Sequence, residues 1–572
     1  MVAGLGAVVF RGLIAVIHNL MFLGKLSVFY DANAQTPPSP WGIFVILVPV
    51  VGAVGVVFLV KNFAPEAKGH GVPEVMDAIY YNRGKIRPVV AAIKSLASAL
   101  SIGSGGSVGR EGPIIQIGSS FGSAVGQLLR VPAWQRIALI AGGAGGGIAA
   151  TFNTPVGGVL FALEILMHEV SARTLVPVVI ATVMATYIGQ VCFGTYPSFV
   201  IPALETPYFH VMRPLVLLSY LGLGILMGVV AAVFIKSIYG FEDFFERRFW
   251  GNYYFQHTIG MFLVGVIMYA LMAVYGHYYI AGVGYFTVQE ILSGMRIPLY
   301  LLLLLFLLKL LATSLTLGSG ASGGIFSPSL YLGATLGGAY GLTLVHLFPS
   351  LGISPPAFAV AGMAAVVGGA TGAAMAAIVM IFEMTLDYNV IVPMTITVAV
   401  SYGVRRMLSR ESIYTMKLVR RGHYIPDALY APDHFVKQAK DMMVQEVKCV
   451  SAACTLNQFA EMIANRPSII WYLVEEGNRV IGLVSKHTAL NALNNHENQV
   501  KLRDIANADY ITVAENETLF EIINRMHLSK GSLVLVTNDV GPASATSVKG
   551  LITRQQVADV VVESAGLFLD VP

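Results

Sequence analysis

The sequence predicts a polytopic α-helical membrane protein built on an internal repeat with broken helices, followed by a C-terminal α/β tail. Three observations carry this reading. Only 12% of the 572 residues are charged and 55% are hydrophobic, against about 25% charged in a soluble chain. Several apolar runs reach bilayer length. Two glycine-broken stretches also repeat one another 215 residues apart, from Lys94 and from Lys309.

A bilayer core about 30 Å thick takes roughly 20 apolar residues of helix. "MVAGLGAVVFRGLIAVIHNLMFLG" has Arg11 within its apolar run, so it reads as a first membrane helix rather than a cleavable signal. "WGIFVILVPVVGAVGVVFLV", "LVPVVIATVMATYIGQVCFG", "PLVLLSYLGLGILMGVVAAVF" and "TIGMFLVGVIMYALMAVYGHYY" also meet the length. "IRPVVAAIKSLASALSIG", "PIIQIGSSFGSAVGQLL" and "AAMAAIVMIFEM" are short or cut by Gly and Pro. Broken backbone at membrane depth is tolerated only inside protein or along an aqueous cavity. The pattern therefore points to a transporter or pore.

The basic run "RRMLSRESIYTMKLVRRGHY" follows the last membrane segment and sets the tail in the cytoplasm. The predicted organisation is a membrane domain over 1–407, a linker over 408–432, and two βαβ-like units over 433–495 and 501–562. The repeat halves of the membrane domain run roughly over 40–193 and 257–407. A formal charge of +4 offers nothing to nucleic acid. Cys192, Cys449 and Cys454 form neither a disulfide framework nor a four-ligand metal site, and no metal is expected.

The repeat aligns "KSLASALSIGSGGSVGREGPIIQIGSSFGSAVG" with "KLLATSLTLGSGASGGIFSPSLYLGATLGGAYG" without a gap. Farther on, Glu164 meets Glu383 and Pro177 meets Pro393. Paired, Gly-interrupted segments in two halves point to a binding site at the bilayer midplane. A helix that starts there leaves N–H groups unpaired at a positive dipole end. Two such ends form an anion site without a fixed positive charge. In "GREGP" and "GGIFSP" a Pro just after the glycines favours a helix start. The ionisable pair Arg110 and Glu111 at one of these breaks is a functional candidate, because charge at membrane depth is costly. A structural ion pair between these neighbours is disfavoured, since adjacent helical residues point apart.

The ordered motifs "GHGVPEV" (69–75), "GREGP" (109–113), "FNTPVGGVLFALE" (152–164), "GGIFSP" (323–328) and "SIYTMK" (412–417) resemble the CLC chloride channel and chloride/proton exchanger family, and the tail units resemble its CBS pair. The resemblance covers nearly the whole chain. It implies an inverted-topology repeat, a homodimer, and one anion pathway in each subunit. Glu111 aligns with the gating glutamate, which competes with anions and exchanges protons. The anion-binding set it implies is His70, Gly71, Arg110, Gly112, Gly324, Ile325, Phe326 and Tyr414, with N–H groups from Ile325 and Phe326 and a hydroxyl from Tyr414. Glu164 and Glu383 are expected to be buried polar struts.

This chain departs from the family pattern at three places. His70 stands where chloride-selective members carry serine. A ring facing the pathway would donate one N–H when neutral and add charge when protonated, whereas a ring turned away leaves backbone N–H groups alone to bind the anion. Ile165 stands where many exchangers carry an internal proton glutamate, which implies channel-like chloride conduction. The alternative is coupled chloride/proton exchange by another internal route, for which His168 and Glu169 lie one helical turn on. In the tail, Thr488 and Gln556 stand where nucleotide-binding CBS units carry Asp. Ser485 and Thr553 remain for phosphates, and dimerisation and tuning of the pore is the plainer role.

The expected ligand is chloride or a similar small anion, with protons in the exchanger reading and no resident cofactor. The expected setting is a bacterial inner membrane. An intramembrane enzyme acting on phosphate is disfavoured, because "GSGGSVGREG" lacks the Gly-Lys-Ser/Thr of a phosphate loop. A scaffold whose membrane part merely anchors the tail does not account for paired broken helices.

Overall fold

The repeat in the sequence is a repeat of helices. In the first half run α1 (Val2–Leu23), α2 (Val48–Phe63), α3 (Val72–Tyr80), α4 (Val89–Gly103), α5 (Glu111–Leu128), α6 (Ala133–Phe152), α7 (Pro155–Phe161) and α8 (Ala172–Phe193). In the second run α9 (Pro214–Arg248), α10 (Tyr253–Tyr275), α11 (Tyr285–Leu292), α12 (Leu299–Gly318), α13 (Phe326–Leu347), α14 (Pro355–Thr371), α15 (Ala374–Thr385) and α16 (Ile391–Leu408). A short α17 (Thr415–Arg420) follows. The computed structural model describes residues 1–167, 172–201, 214–249, 252–294, 297–425, 437–464, 469–494, 500–529, 531–538 and 543–564. The chain divides into two compact units, Met1–Ala428 and Leu429–Pro572.

Among the described residues, seven helices are long and apolar enough to cross a bilayer: α1, α2 with the turn before it, α8, α9, α10, α12 and α13. The run from Trp41 is not one helix from its start. Gly42–Leu47 is 3-10, and α2 begins at Val48 with Pro49 in its first turn. Helix α9 continues for 35 residues, well beyond its apolar stretch, to Arg247 and Arg248. Charged residues at that end suit the dipole and the bilayer edge.

Two fully buried lysines display the symmetry most directly. Lys94 donates to the carbonyls of Ala67 (2.9 Å) and Gly69 (2.7 Å). Lys309 donates to those of Ile280 (3.0 Å) and Gly282 (2.9 Å). Each ammonium thus clamps the turn that leads into a short helix, α3 or α11. A buried charge must be paired or hydrogen-bonded, and here the backbone supplies the partners. The clamped turns, "GHGV" (69–72) and "GVGY" (282–285), are themselves a repeat, with Gly71 and Gly284 at φ 86° and 77°.

The strut expectation for Glu164 and Glu383 takes a specific form. Glu383, on α15, accepts the N–H groups of Val156 (3.1 Å) and Gly157 (2.7 Å) at the start of α7. Glu164, in the π-helical segment Ala162–Met167 that continues α7, accepts those of Met375 (3.2 Å) and Ala376 (2.8 Å) at the start of α15. Each half therefore caps a helix of the other. Glu383→Ala is expected to lower stability by about 1–2 kcal/mol, as loss of an N-terminal cap does. Melting in detergent checks this, with Glu164→Ala as the matched variant.

The second unit holds two sheets of one topology. Strand β1 (Lys448–Ser451) lies parallel to β2 (Trp471–Glu476), which is antiparallel to β3 (Arg479–Ser485). Likewise β4 (Tyr510–Ala514) is parallel to β5 (Leu533–Thr537), which is antiparallel to β6 (Val548–Thr553). Bulges fall at matching places, after Val474 and after Val536. Tyr472, Val474, Leu456 and Phe459 fill one core, and Val534, Val536, Leu519 and Ile522 the other. Apolar residues on both sheet faces fit strands packed on each side.

Candidate functional site

Three glycine turns meet inside the first unit. Gly109 and Gly324 exchange backbone hydrogen bonds of 2.7 and 2.6 Å. Gly69 donates to Ala321 O (2.9 Å) and accepts from Gly323 N (3.2 Å). These bonds hold the starts of α5, α13 and α3 together. Pro113 and Pro328 each fall third in their helices, where the missing N–H costs nothing. A Cβ on Gly112 would overlap the His70 carbonyl and come within 3.1 Å of Gly324 Cα.

Glu111 opens α5 and is 1% exposed. It makes no ion pair with Arg110. Its carboxylate crosses to the start of α13, where Oε2 accepts from Ser327 N at 3.3 Å. Oε1 accepts from the Tyr285 hydroxyl at 2.5 Å and from the Ser327 hydroxyl. The Tyr285 and Ser327 hydroxyls lie 2.8 Å apart. A carboxylate bound by an N–H at a helix start occupies an anion position.

Arg110 is turned away from that carboxylate. Its guanidinium lies over the Phe152 and Tyr285 rings, 5.4 and 5.2 Å from their centroids, and its Nε has no hydrogen-bond partner. With Arg11 of α1 and Tyr30 it lines a small cavity of about 20 Å³. Two cations there raise the local potential for anions.

On the other side of the site, a cavity of about 550 Å³ is walled by Tyr414, Ile165, Thr371, Arg405, Arg410 and Thr415, among others. Tyr414, Ile325 and Phe326 are all buried. His70, 4% exposed, stands next to Tyr414 with ring centroids 5.9 Å apart. Its Nε2 faces the Tyr239 hydroxyl at 3.4 Å, while that hydroxyl donates to Ile413 O at 2.6 Å. The ring N–H that a neutral His70 facing the pathway would offer an anion is engaged by Tyr239. His168 and Glu169 lie outside the described residues.

Several of these groups are not apparent from the motifs: Tyr285, the Ser327 hydroxyl, Tyr239 and Arg11. The "GVGY" repeat of "GHGV" is a signal for Tyr285, and the cation within an apolar run is one for Arg11.

In the second unit, Thr553 lines a cavity of about 720 Å³ with Trp471, Arg554, Gln556 and Asp559. The Gln556 amide oxygen accepts from Thr553 N (2.8 Å) and its hydroxyl (3.2 Å). The Ser485 hydroxyl accepts from Thr488 N at 3.0 Å. Both turns are closed on themselves, with Thr488 and Gln556 rather than Asp at the ribose-binding position that the resemblance describes.

The profile of the family described as voltage gated chloride channel matches residues 53–406, and that of the CBS domain matches 439–495. The chain is 34% identical over 392 residues to the H(+)/Cl(-) exchange transporter ClcA of Vibrio parahaemolyticus serotype O3:K6 (strain RIMD 2210633), covering 66% of this chain and 80% of that protein. To the ClcA of Cronobacter sakazakii (strain ATCC BAA-894) it is 31% identical over 428 residues, 73% of this chain and 87% of the relative. Among solved structures, a slow cyanobacterial Cl-/H+ antiporter matches with a TM-score of 0.63 at 27% identity, covering 73% of this chain and 96% of that one. A eukaryotic CLC transporter shares the fold over 97% of this chain and 96% of its own, with a TM-score of 0.61 at 21% identity. With a matching profile over most of its length, the broken-helix repeat and the CBS tail, the chain belongs to the voltage gated chloride channel (CLC) family of multi-pass membrane proteins that move anions.

Proposed function

We propose that this protein exchanges chloride for protons across the membrane, with Glu111 as the gate. The observation that carries the reading is the Glu111 carboxylate at the start of α13, held by Ser327 N–H and two hydroxyls. A carboxylate there and an anion there exclude one another. Protonation removes the charge that holds it, so occupancy by chloride and protonation of Glu111 favour each other. The starts of α5 and α13, with Gly112, Gly324, Ile325 and Phe326, supply the N–H groups for the anion, and Tyr414 is its inner hydroxyl. Arg110 and Arg11 draw anions to the outer mouth. Arg405 and Arg410 do so at the inner one, which the positive-inside rule assigns to the cytoplasm with the tail. The chain works as a homodimer with one pathway per subunit, and the CBS units tune it without a nucleotide. The exchange activity named for the bacterial relatives supports coupling.

A second reading is passive chloride conduction. The observation favouring it is Ile165, which cannot titrate, in the wall of the inner cavity. Liposomes holding the purified protein under a chloride gradient separate the two readings. Exchange drives protons uphill as chloride leaves. Chloride efflux with no driven proton movement makes the protein a channel, and no efflux at all defeats both readings.

A further inference from the structure

His70 adjoins both Tyr414 and Gly112. Tyr414, beside it, forms part of the cavity wall. On the other side, its own carbonyl lies against Gly112, the residue after Glu111. The flanking glycines, at φ 79° and 86°, and the Lys94 clamp fix the turn that carries it.

The hydrogen bonds around His70 determine its tautomer. The Tyr239 hydroxyl has one proton and gives it to Ile413 O at 2.6 Å. Toward His70 it is therefore an acceptor, so Nε2 carries the ring proton. Nδ1 is left with a bare lone pair, buried and without a hydrogen-bond partner. A lone pair repels an anion. An unsatisfied buried acceptor is also costly and calls for an explanation. A proton on Nδ1 supplies one, because it turns the acceptor into a charged donor.

The charges around His70 show when that proton can be held. Lys94 comes from α4, and Lys417 and Arg421 from α17 and the residue after it, and all three act on the ring. Lys68 precedes it by two residues. Glu74 on α3 is the nearby acid, already paired with Lys417 (3.2 Å) and Arg421 (2.7 Å). From α5, Gln116 faces Gly71 with an unpartnered amide oxygen and adds no charge. Tyr239 and Tyr414 complete the shell. An anion entering beside the ring offsets the charge of an imidazolium among these cations. Proton and anion therefore bind together.

We propose that His70 is the inner proton station of this transporter, taking the role that the non-titratable Ile165 cannot fill. The inference rests on Glu111 being the gate. A hydronium ion in the inner cavity gives a proton to Nδ1 as chloride enters, and neutral water is left behind. It then leaves Nδ1 for a Glu111 carboxylate oxygen once that side chain has turned in from α13. One N–H bond breaks and one O–H bond forms, the Nδ1 lone pair is restored, and nothing is oxidised or reduced.

Two measurements on the full-length protein test this. In liposomes under a chloride gradient, the ratio of proton to chloride flux is compared for wild type, His70→Ser and Glu111→Gln; an unfolded fraction leaves that ratio unchanged. The His70→Ser ratio is expected to fall about 10²-fold, the scale of a lost proton-transfer group. In detergent, chloride is titrated calorimetrically in two buffers of different ionisation heat. Wild type is expected to take up more protons per chloride than His70→Ser, in which Glu111 alone is left to take one up, and this readout requires no transport. A His70→Ser ratio equal to wild type, or unchanged proton uptake, overturns the station and leaves the gate standing. A wild-type ratio in Glu111→Gln overturns the gate instead.

Discussion

Replacing Glu111 with glutamine is expected to stop proton movement while anions continue to pass, and to remove the pH dependence of their flux. The carboxylate is held by one N–H and two hydroxyls at the start of α13. Hydrogen bonds to a charged group contribute about 1.5–3 kcal/mol each. An amide loses that charge assistance, and weakening two such bonds by about 1 kcal/mol each shifts occupancy by roughly 30-fold. Glutamine also has no carboxyl proton to exchange. The check is chloride efflux from liposomes at two pH values, with internal pH recorded alongside. Equal chloride rates at both values are expected for the variant and unequal ones for wild type.

Gly112→Ala is expected to have the larger structural effect. The added methyl would overlap the His70 carbonyl and press on Gly324 Cα at 3.1 Å. Both neighbours are backbone, tied by the Gly109–Gly324 and Gly69–Gly323 bonds, so neither can yield alone. Overpacking of this kind costs about 3 kcal/mol. Displacing the helix starts by about 1 Å is expected to reduce transport on the order of 10²-fold. Gly403→Ala on α16, where a Cβ meets nothing within 4 Å, is the control and should retain both stability and flux.

Much of this was legible in the sequence because it is periodic or local. The apolar runs, the alignment from Lys94 with Lys309 and the helix starts after "GSVGRE" and "GGIF" depend on spacing alone. The partners of individual side chains do not. Nothing in the "GREGP" stretch says that Glu111 reaches across the pseudo-symmetry to Ser327 and Tyr285. Lys94 and Lys309 are alignable from sequence, but the carbonyls they clamp are known only once the turns fold back. Glu164 and Glu383 read as struts, yet their reciprocal capping depends on which helix ends meet. His70 is the sharpest case. Sequence gives its identity, while its tautomer follows from a competition between Tyr239, Ile413 O and the ring. The 3-10 start before α2 was hidden because apolar composition is indifferent to helix type.

The Glu111 carboxylate and the transported anion compete, on this reading, for the start of α13. The most direct measurement is a crystal structure of the wild type and of Glu111→Gln soaked in bromide, with anomalous scattering recorded. Bromide is expected within hydrogen-bond distance of Ser327 N in the variant. In the unprotonated wild type the carboxylate is expected there and no bromide. Bromide at Ser327 N beside a still-bound Glu111, or none there in the variant, would contradict this competition.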